Sequence, residues 1–136
     1  MLILQLDDVN IEYVYFGNSV KNTILSNSCF RHINYSTHYF SLNTIYIKIP
    51  LVGYIKYSKF FFKREENEKI IHKIQEIENS ILDMSDKIKQ YNITHFLNGE
   101  SISNIENSYI LLKISGIWET PTHCGLTFKF IHLPKT

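Results

Sequence analysis

A change of hydrophobic period in the middle of the chain constrains the fold most. Ile70, Ile74, Ile77, Ile81, Met84 and Ile88 recur at spacings of 4, 3, 4, 3 and 4 residues, the rhythm of one face of an α-helix. The spacing predicts a helix from about Glu65 to Lys89. Glu65, Glu66 and Glu68 open it and Lys87 and Lys89 close it, which suits the helix dipole. The heptad spacing is too brief for a stable coiled-coil seam, so the stripe is expected to lie on a sheet.

Either side of this stripe the pattern is β-type. Leu2 to Leu6 and Ile11 to Phe16 are short apolar runs, and Asp7, Asp8 and Asn10 between them suggest a hairpin. Residues 17–37, rich in Asn and Ser, are expected to form an irregular loop. Tyr39 to Ile49 reads as a strand, with Ile45, Ile47 and Ile49 on one face and Tyr46 and Lys48 on the other. Pro50 and Gly53 break it, and Tyr54 to Phe62 resumes β composition, its Phe60-Phe61-Phe62 run expected to be largely buried. Residues 90–107 read as a polar connection with a turn at Asn98-Gly99. Tyr109 to Glu119 and Leu126 to Leu133 read as two strands of a closing hairpin, joined through Thr120-Pro121-Thr122-His123-Cys124-Gly125. The expected fold is mainly β with one long helix (α+β). It is either an OB-like barrel or a curved antiparallel sheet, with the helix between strands 3 and 4 and a C-terminal β-hairpin. Residues 1–136 are read as a single OB-like domain.

Charge narrows the function classes. The chain has 136 residues and a formal net charge of +1, which excludes a histone-like polycation. There is no alanine, and lysine outnumbers arginine 12 to 2. These are marks of an AT-rich genome, so the placement of Lys, Asn and Tyr carries more information than their number. Residues 1–20 carry three acids and no base, and residues 65–89 carry seven acids and four lysines. Residues 44–64 instead carry Lys48, Lys56, Lys59, Lys63 and Arg64 and no acid. These cations alternate with Tyr46, Tyr54, Tyr57 and the three phenylalanines. Single-stranded nucleic acid is held in this way, by cations along the backbone and aromatic rings under the bases. The competing reading is a solvated strand face with half-buried tyrosines. Trp118, in Gly116-Ile117-Trp118-Glu119, is either a core cap or a fourth stacking platform.

Other chemistry is thin. Cys29-x2-His32 and the adjacent His123-Cys124 pair fall short of a structural zinc set. No metal or cofactor is expected. There is no Gly-rich phosphate loop, nucleophile elbow or HExxH. His123 and Cys124 are neighbours whose side chains should point apart, and Asp83 and Asp86 read as a solvated helix face. No enzyme activity is expected. Cys29 and Cys124 are expected as free thiols. The N-terminal run lacks a basic region, and no window is apolar enough to span a membrane. A soluble, intracellular protein without membrane contact is expected.

Two stretches carry a resemblance. The first is IYIKIPLVGYIKYSKFFFKREENEKIIHKIQEIENSI (45–81) and the second YILLKISGIWETPTHCGLTFKFI (109–131). Their landmarks are Ile47 to Pro50, Gly53-Tyr54, Asn67, Glu78 to Ile81, Leu112 to Glu119 and Gly125 to Phe130. With these the chain resembles small uncharacterised proteins of nucleocytoplasmic large DNA viruses. Some of those have been likened to the OB-fold single-stranded DNA-binding proteins of podophages. The resemblance implies a viral replication protein of the infected-cell cytoplasm or viral factory, or of the virion. Such phage proteins close on an acidic tail, whereas this chain ends His132-Leu133-Pro134-Lys135-Thr136.

The leading expectation is therefore a non-enzymatic single-stranded DNA-binding protein, with RNA as a second ligand of the same kind. Lys48, Lys56, Lys59 and Lys63 would neutralise phosphates, and Tyr46, Tyr54, Tyr57 and Trp118 would stack on bases. Homo-oligomers or viral replication proteins are further partners on this reading. The alternative is a virion or replication-factory structural protein that binds protein through the Ile70–Ile88 stripe. A third reading, a small hydrolase using His123 or Cys124, has the least behind it.

Overall fold

Alternation along Ile45–Lys48 sets the frame of the fold. Ile45 and Ile47 are fully buried while Tyr46 and Lys48 lie half-buried on the opposite face, as period-2 side-chain geometry requires. The computed structural model describes residues 2–21, 27–103 and 108–134. In chain order these form β1 (Leu4–Gln5), β2 (Val14–Phe16), β3 (Val20–Lys21), β4 (Cys29–Ser36), β5 (Ser41–Leu42), β6 (Ile45–Lys48), β7 (Gly53–Lys56) and β8 (Lys59–Phe62). The long helix α1 (Glu68–Leu82) follows, then β9 (Ile88–Gln90), the short helix α2 (Asn92–Leu97), β10 (Ser101–Ser103), β11 (Ser108–Glu119) and β12 (His123–Pro134). The protein is thus mainly β with one long helix.

The main sheet runs β1-β6-β11-β12-β9, and β7, β8 and β10 form a separate antiparallel sheet in the order β10-β8-β7. Pairing is mixed: β1 lies parallel to β6 and β9 parallel to β12, and the other ladders are antiparallel. Because β1 and β9 end the path and do not pair with each other, the sheet is not a closed barrel, and with two parallel ladders it is not purely antiparallel. Short parallel strands occupy both ends. The long helix follows the eighth strand rather than the third, since the N-terminal half is cut into more and shorter strands than its composition suggests.

The first sixteen residues do not make a hairpin. β1 pairs with β6 and β2 with β4, and Leu4, Leu6 and Val14 are buried in the core. The expected loop at 17–37 contains β4, an eight-residue strand whose Ile33 and Tyr35 are buried; residues 22–26 of that stretch lie outside the described residues. β4 joins two parts of the sheet. Residues 29–32 pair with β11, and residues 33–36 pair with β2 and β5. The buried Tyr35 hydroxyl accepts from the Asn10 backbone N–H at 3.0 Å, which ties the N-terminal segment to this strand.

The C-terminal hairpin is present as expected, and its strands run further, leaving Thr120–Thr122 as the turn. A register shift between Ile114 and Gly116 lets β11 pair first with β6 and then with β4. Gly116 is required there, since a Cβ would lie 2.2 Å from the Arg31 carbonyl oxygen.

Helix α1 is shorter than its apolar stripe predicts, and it starts at Glu68 and ends at Leu82. It buries Ile71, Ile74, Ile77, Ile81 and Leu82 in a cluster shared with Ile45, Ile47, Phe60, Phe62 and Ile102, and Ile70 packs on the margin. Past Leu82, Ser85 donates to Glu119 at 2.8 Å and accepts from the Lys87 N–H at 3.3 Å. These short polar side chains compete with the helical ladder. Ile88 then turns outward on β9 and is exposed. The buried stripe leaves Ile74, Ile77 and Ile81 no surface to offer a partner. Among the described residues no helix is long and apolar enough to cross a membrane.

Both cysteines are free, Cys29 exposed and Cys124 buried. They sit opposite Glu119 on either side of it, so two strand spacings, about 10 Å, separate their Cα atoms. A disulfide does not reach that far. Burial pushes the Cys124 thiol up from its ordinary range. The folded state therefore holds that proton more tightly than the unfolded chain, and this stabilising contribution is complete at neutral pH. It is lost as pH climbs into the alkaline range where an unfolded thiol ionises. Iodoacetamide is expected to label Cys29 in the native protein and both thiols in urea. Equal native labelling, read by mass spectrometry of the two peptides, would contradict the buried position of Cys124.

Candidate nucleic-acid interface

The stretch of β composition from Tyr54 to Phe62 belongs to a tight hairpin of β7 and β8. Tyr57 and Ser58 form its two-residue turn with φ of 53° and 58°. Two successive left-handed residues match the twist of the flanking strands, but Asn and Gly normally supply them. A tyrosine in that region is strained by roughly 1–2 kcal/mol. Its side chain is 89% exposed, so burial of the ring does not offset the strain.

Cross-strand pairing sorts the hairpin into two faces. Tyr54 lies opposite Phe61 and Lys56 opposite Lys59, whereas Ile55 lies opposite Phe60 and Gly53 opposite Phe62. Phe60 and Phe62 are buried. The outer face therefore presents Tyr54, Lys56, Lys59 and Phe61 side by side. Tyr54 is 63% exposed and stacks on Phe61 with centroids 5.4 Å apart. Lys59 Nζ lies 5.6 Å from the Phe61 ring and Lys56 Nζ 5.3 Å from the Tyr57 ring. The Phe60-Phe61-Phe62 run is thus not all core, because period-2 geometry turns its middle ring outward.

Asn67, buried just ahead of α1, holds the foot of the hairpin. Its side-chain oxygen accepts from the Val52 N–H at 2.7 Å. Its amide donates to the carbonyls of Val52 at 3.0 Å and Lys63 at 2.8 Å. The residues before β7 and after β8 are thereby joined to the start of the helix. A groove of about 530 Å³ runs along this foot, lined by Tyr54, Phe61 and Lys63 and by the acids Glu66 and Glu100. Glu100 accepts from the Arg64 N–H at 2.9 Å, and the Arg64 guanidinium donates to Asn98 at 2.7 Å. Arg64 is therefore engaged in holding the loop.

The remaining candidates lie elsewhere. Tyr46 and Lys48 are on the outer face of β6 in the main sheet. Lys113 of β11 lies opposite Tyr46, with its Nζ 6.0 Å from that ring, and Lys129 of β12 lies opposite Lys113. Trp118 is half-buried five residues along β11 from Lys113, about 17 Å away at strand rise. Its indole covers Gly125, where a Cβ would come within 2.4 Å of the ring. The eight sequence candidates thus fall into three groups: Tyr54, Lys56, Tyr57, Lys59 and Lys63 on and beside the hairpin; Tyr46 and Lys48 on the main sheet; and Trp118 in its packing site.

Three residues at these faces were missed by sequence reasoning. Phe61 was legible from strict alternation. Lys113 and Lys129 needed the register of β11 on β12, which the bulge obscures. Two pairs of lysines thus stand directly opposite one another, Lys56 with Lys59 and Lys113 with Lys129, an arrangement that repels unless an anion lies between them.

His123 and Cys124 do not form a thiol–imidazole pair. The His123 ring shares a 2.7 Å hydrogen bond with Thr122, and the Cys124 thiol points to the Lys87 carbonyl. Among the described residues no group of three or more His, Cys, Asp or Glu is placed to hold a metal ion. No family model, curated protein or solved structure matches the chain.

Proposed function

We propose that this chain is a non-enzymatic single-stranded DNA-binding protein whose interface is the outer face of the β7–β8 hairpin. The observation that carries the reading is the juxtaposition of Lys56 and Lys59, directly opposed and flanked by the exposed Tyr54 and Tyr57 and the half-buried Phe61. The two ammonium groups repel each other in the free protein, and a phosphate backbone between them relieves that repulsion. The rings beside them offer faces on which unpaired bases stack. A role in the replication of a large DNA virus, and an OB-like ancestry for a strand-rich fold with one long helix and a closing hairpin, belong to the same reading.

Titration of a fluorescent oligothymidylate at two salt concentrations tests it. Binding is expected to weaken steeply as salt rises, with a logarithmic slope of about −0.7 per phosphate contacted. Duplex is expected to bind much more weakly, because its bases cannot splay onto the rings. Tyr54→Ala is expected to cost about 1–3 kcal/mol of binding with the salt slope nearly unchanged, since stacking releases no counterions. An oligouridylate run in parallel ranks RNA against DNA. Absence of low-salt affinity for either strand would overturn this reading.

A further inference from the structure

Register across the smaller sheet sets one row of side chains on its outer face. Tyr54 of β7 lies opposite Phe61 of β8, and Phe61 lies opposite Ser101 of β10. All three residues line the groove at the hairpin foot, together with Lys63, Glu66 and Glu100. Tyr54 and Phe61 therefore belong both to this groove and to the face that presents Lys56 and Lys59, and the two are continuous.

The charge changes sign along that face. β7 and β8 contain no acid, whereas the groove sets Glu66 and Glu100 against the single ammonium of Lys63. Two carboxylates disfavour a phosphate there, so the part of a nucleotide that suits the groove is its base. The two acids have different surroundings. Glu100 is built into the wall: its carboxylate accepts from the Arg64 N–H at 2.9 Å, its carbonyl accepts from the Phe62 N–H at 3.1 Å, and its φ is 55°. Left-handed backbone is uncommon for a residue with a side chain, and such strain gathers at ligand clamps. Glu66 is exposed, and its carboxylate has no hydrogen bond or ion pair among the described residues.

A carboxylate accepts through both oxygens and donates nothing. Guanine is the base that offers two neighbouring donors on its Watson–Crick edge, N1–H and the N2 amino group. Adenine and cytosine set an amino group beside a ring-nitrogen acceptor, and thymine and uracil set one N–H between two carbonyls. In a single strand this edge is free to be read. We propose that the groove is a guanine-selective subsite of the hairpin interface, in which guanine stacks against Tyr54 and gives its two edge donors to the Glu66 carboxylate. This rests on the hairpin reading above and adds a sequence preference to it. The rings accept any base by its face, and Glu66 makes the choice.

The experiment compares an oligothymidylate of about twelve nucleotides, within the usual site sizes of such modules, with the same strand carrying one central guanine. Wild type is expected to bind the guanine strand about fivefold more tightly or better, as a bidentate base contact provides. Inosine at that position lacks the N2 amino group and is expected to lose most of the gain. Glu66→Gln turns an amide donor towards the guanine donors, and is expected to bring the guanine strand level with the unsubstituted one. Its affinity for the unsubstituted strand is expected to hold or rise, because a negative charge is gone; a damaged hairpin would lower it. Equal wild-type affinity for the two strands, a preference that inosine keeps in full, or a preference that survives Glu66→Gln overturns the guanine subsite while leaving the hairpin reading intact. If the wild type binds no strand at low salt, the hairpin reading fails and the subsite fails with it.

Discussion

Glu78→Leu is expected to lower the stability of the fold by roughly 2–6 kcal/mol, because it strands two backbone donors at about 1–3 kcal/mol each. Glu78 lies on α1 and is fully buried. Its carboxylate accepts from the Ile93 N–H at 2.7 Å, the Thr94 N–H at 3.0 Å and the Thr94 hydroxyl at 2.7 Å. Those N–H groups belong to the first turn of α2, which has no capping side chain of its own. A carboxylate at that end also meets the positive pole of the short helix. Leucine fills similar space and offers no acceptor, so the loss reports the cap rather than a cavity. Glu78→Gln keeps one oxygen but turns an amide donor towards an N–H group, and should fall between wild type and Glu78→Leu. Urea unfolding checks this as a lower midpoint at unchanged slope. A midpoint equal to wild type for Glu78→Leu would mean that α2 is not held by this carboxylate. The consequence reaches Phe96, which α2 holds against Phe128 and Phe130.

The same contact shows why α2 escaped the sequence. Asn92-Ile93-Thr94 has poor helical propensity, and six residues are too few to be helical unaided. The helix exists because a side chain fourteen residues earlier than Asn92 caps it. Only α1, with a period repeated over several turns, could be read from local pattern, and there the existence of the helix was clearer than its end. Ile88 keeps the heptad rhythm, yet pairing of Ile88–Gln90 with β12 overrides it. The reverse happened at β4, where Asn and Ser mask a strand whose Ile33 and Tyr35 alternate correctly. Composition suggests a loop there, but burial of two large side chains decides the outcome.

The site was legible as a list of residue types and illegible as a surface. Alternation placed Tyr46 and Lys48 outward, as found. Nothing local announces the turn at Tyr57-Ser58, because neither residue is one that tight hairpins favour. Without that turn, Tyr54 and Phe61 stand seven residues apart on one strand and on opposite faces. With it they stack. Long-range register carries the remainder, since Lys113 meets Lys129 only after the bulge between Ile114 and Gly116.

Opposed lysines also separate binding from stability in a single substitution. Lys59→Glu turns the Lys56–Lys59 juxtaposition into a cross-strand pair of opposite charge, which is expected to stabilise the hairpin by about 0.2–1 kcal/mol. The same change removes one phosphate contact and sets a negative charge against the backbone. From a slope of about 0.7 per contact, each phosphate contact is worth about a factor of ten near ~50 mM salt. Reversal of the charge is then expected to weaken single-strand binding on the order of a hundredfold, with the loss shrinking as salt rises and screening shortens. Thermal melting and anisotropy on one preparation read both effects. A higher melting temperature with weaker binding is the signature of a residue kept for its ligand at the expense of the fold. Weaker binding with lower melting would mean only that the hairpin had been damaged. Unchanged binding in a stabilised variant would show that the strand does not pass between Lys56 and Lys59, and the interface would have to be sought away from the hairpin.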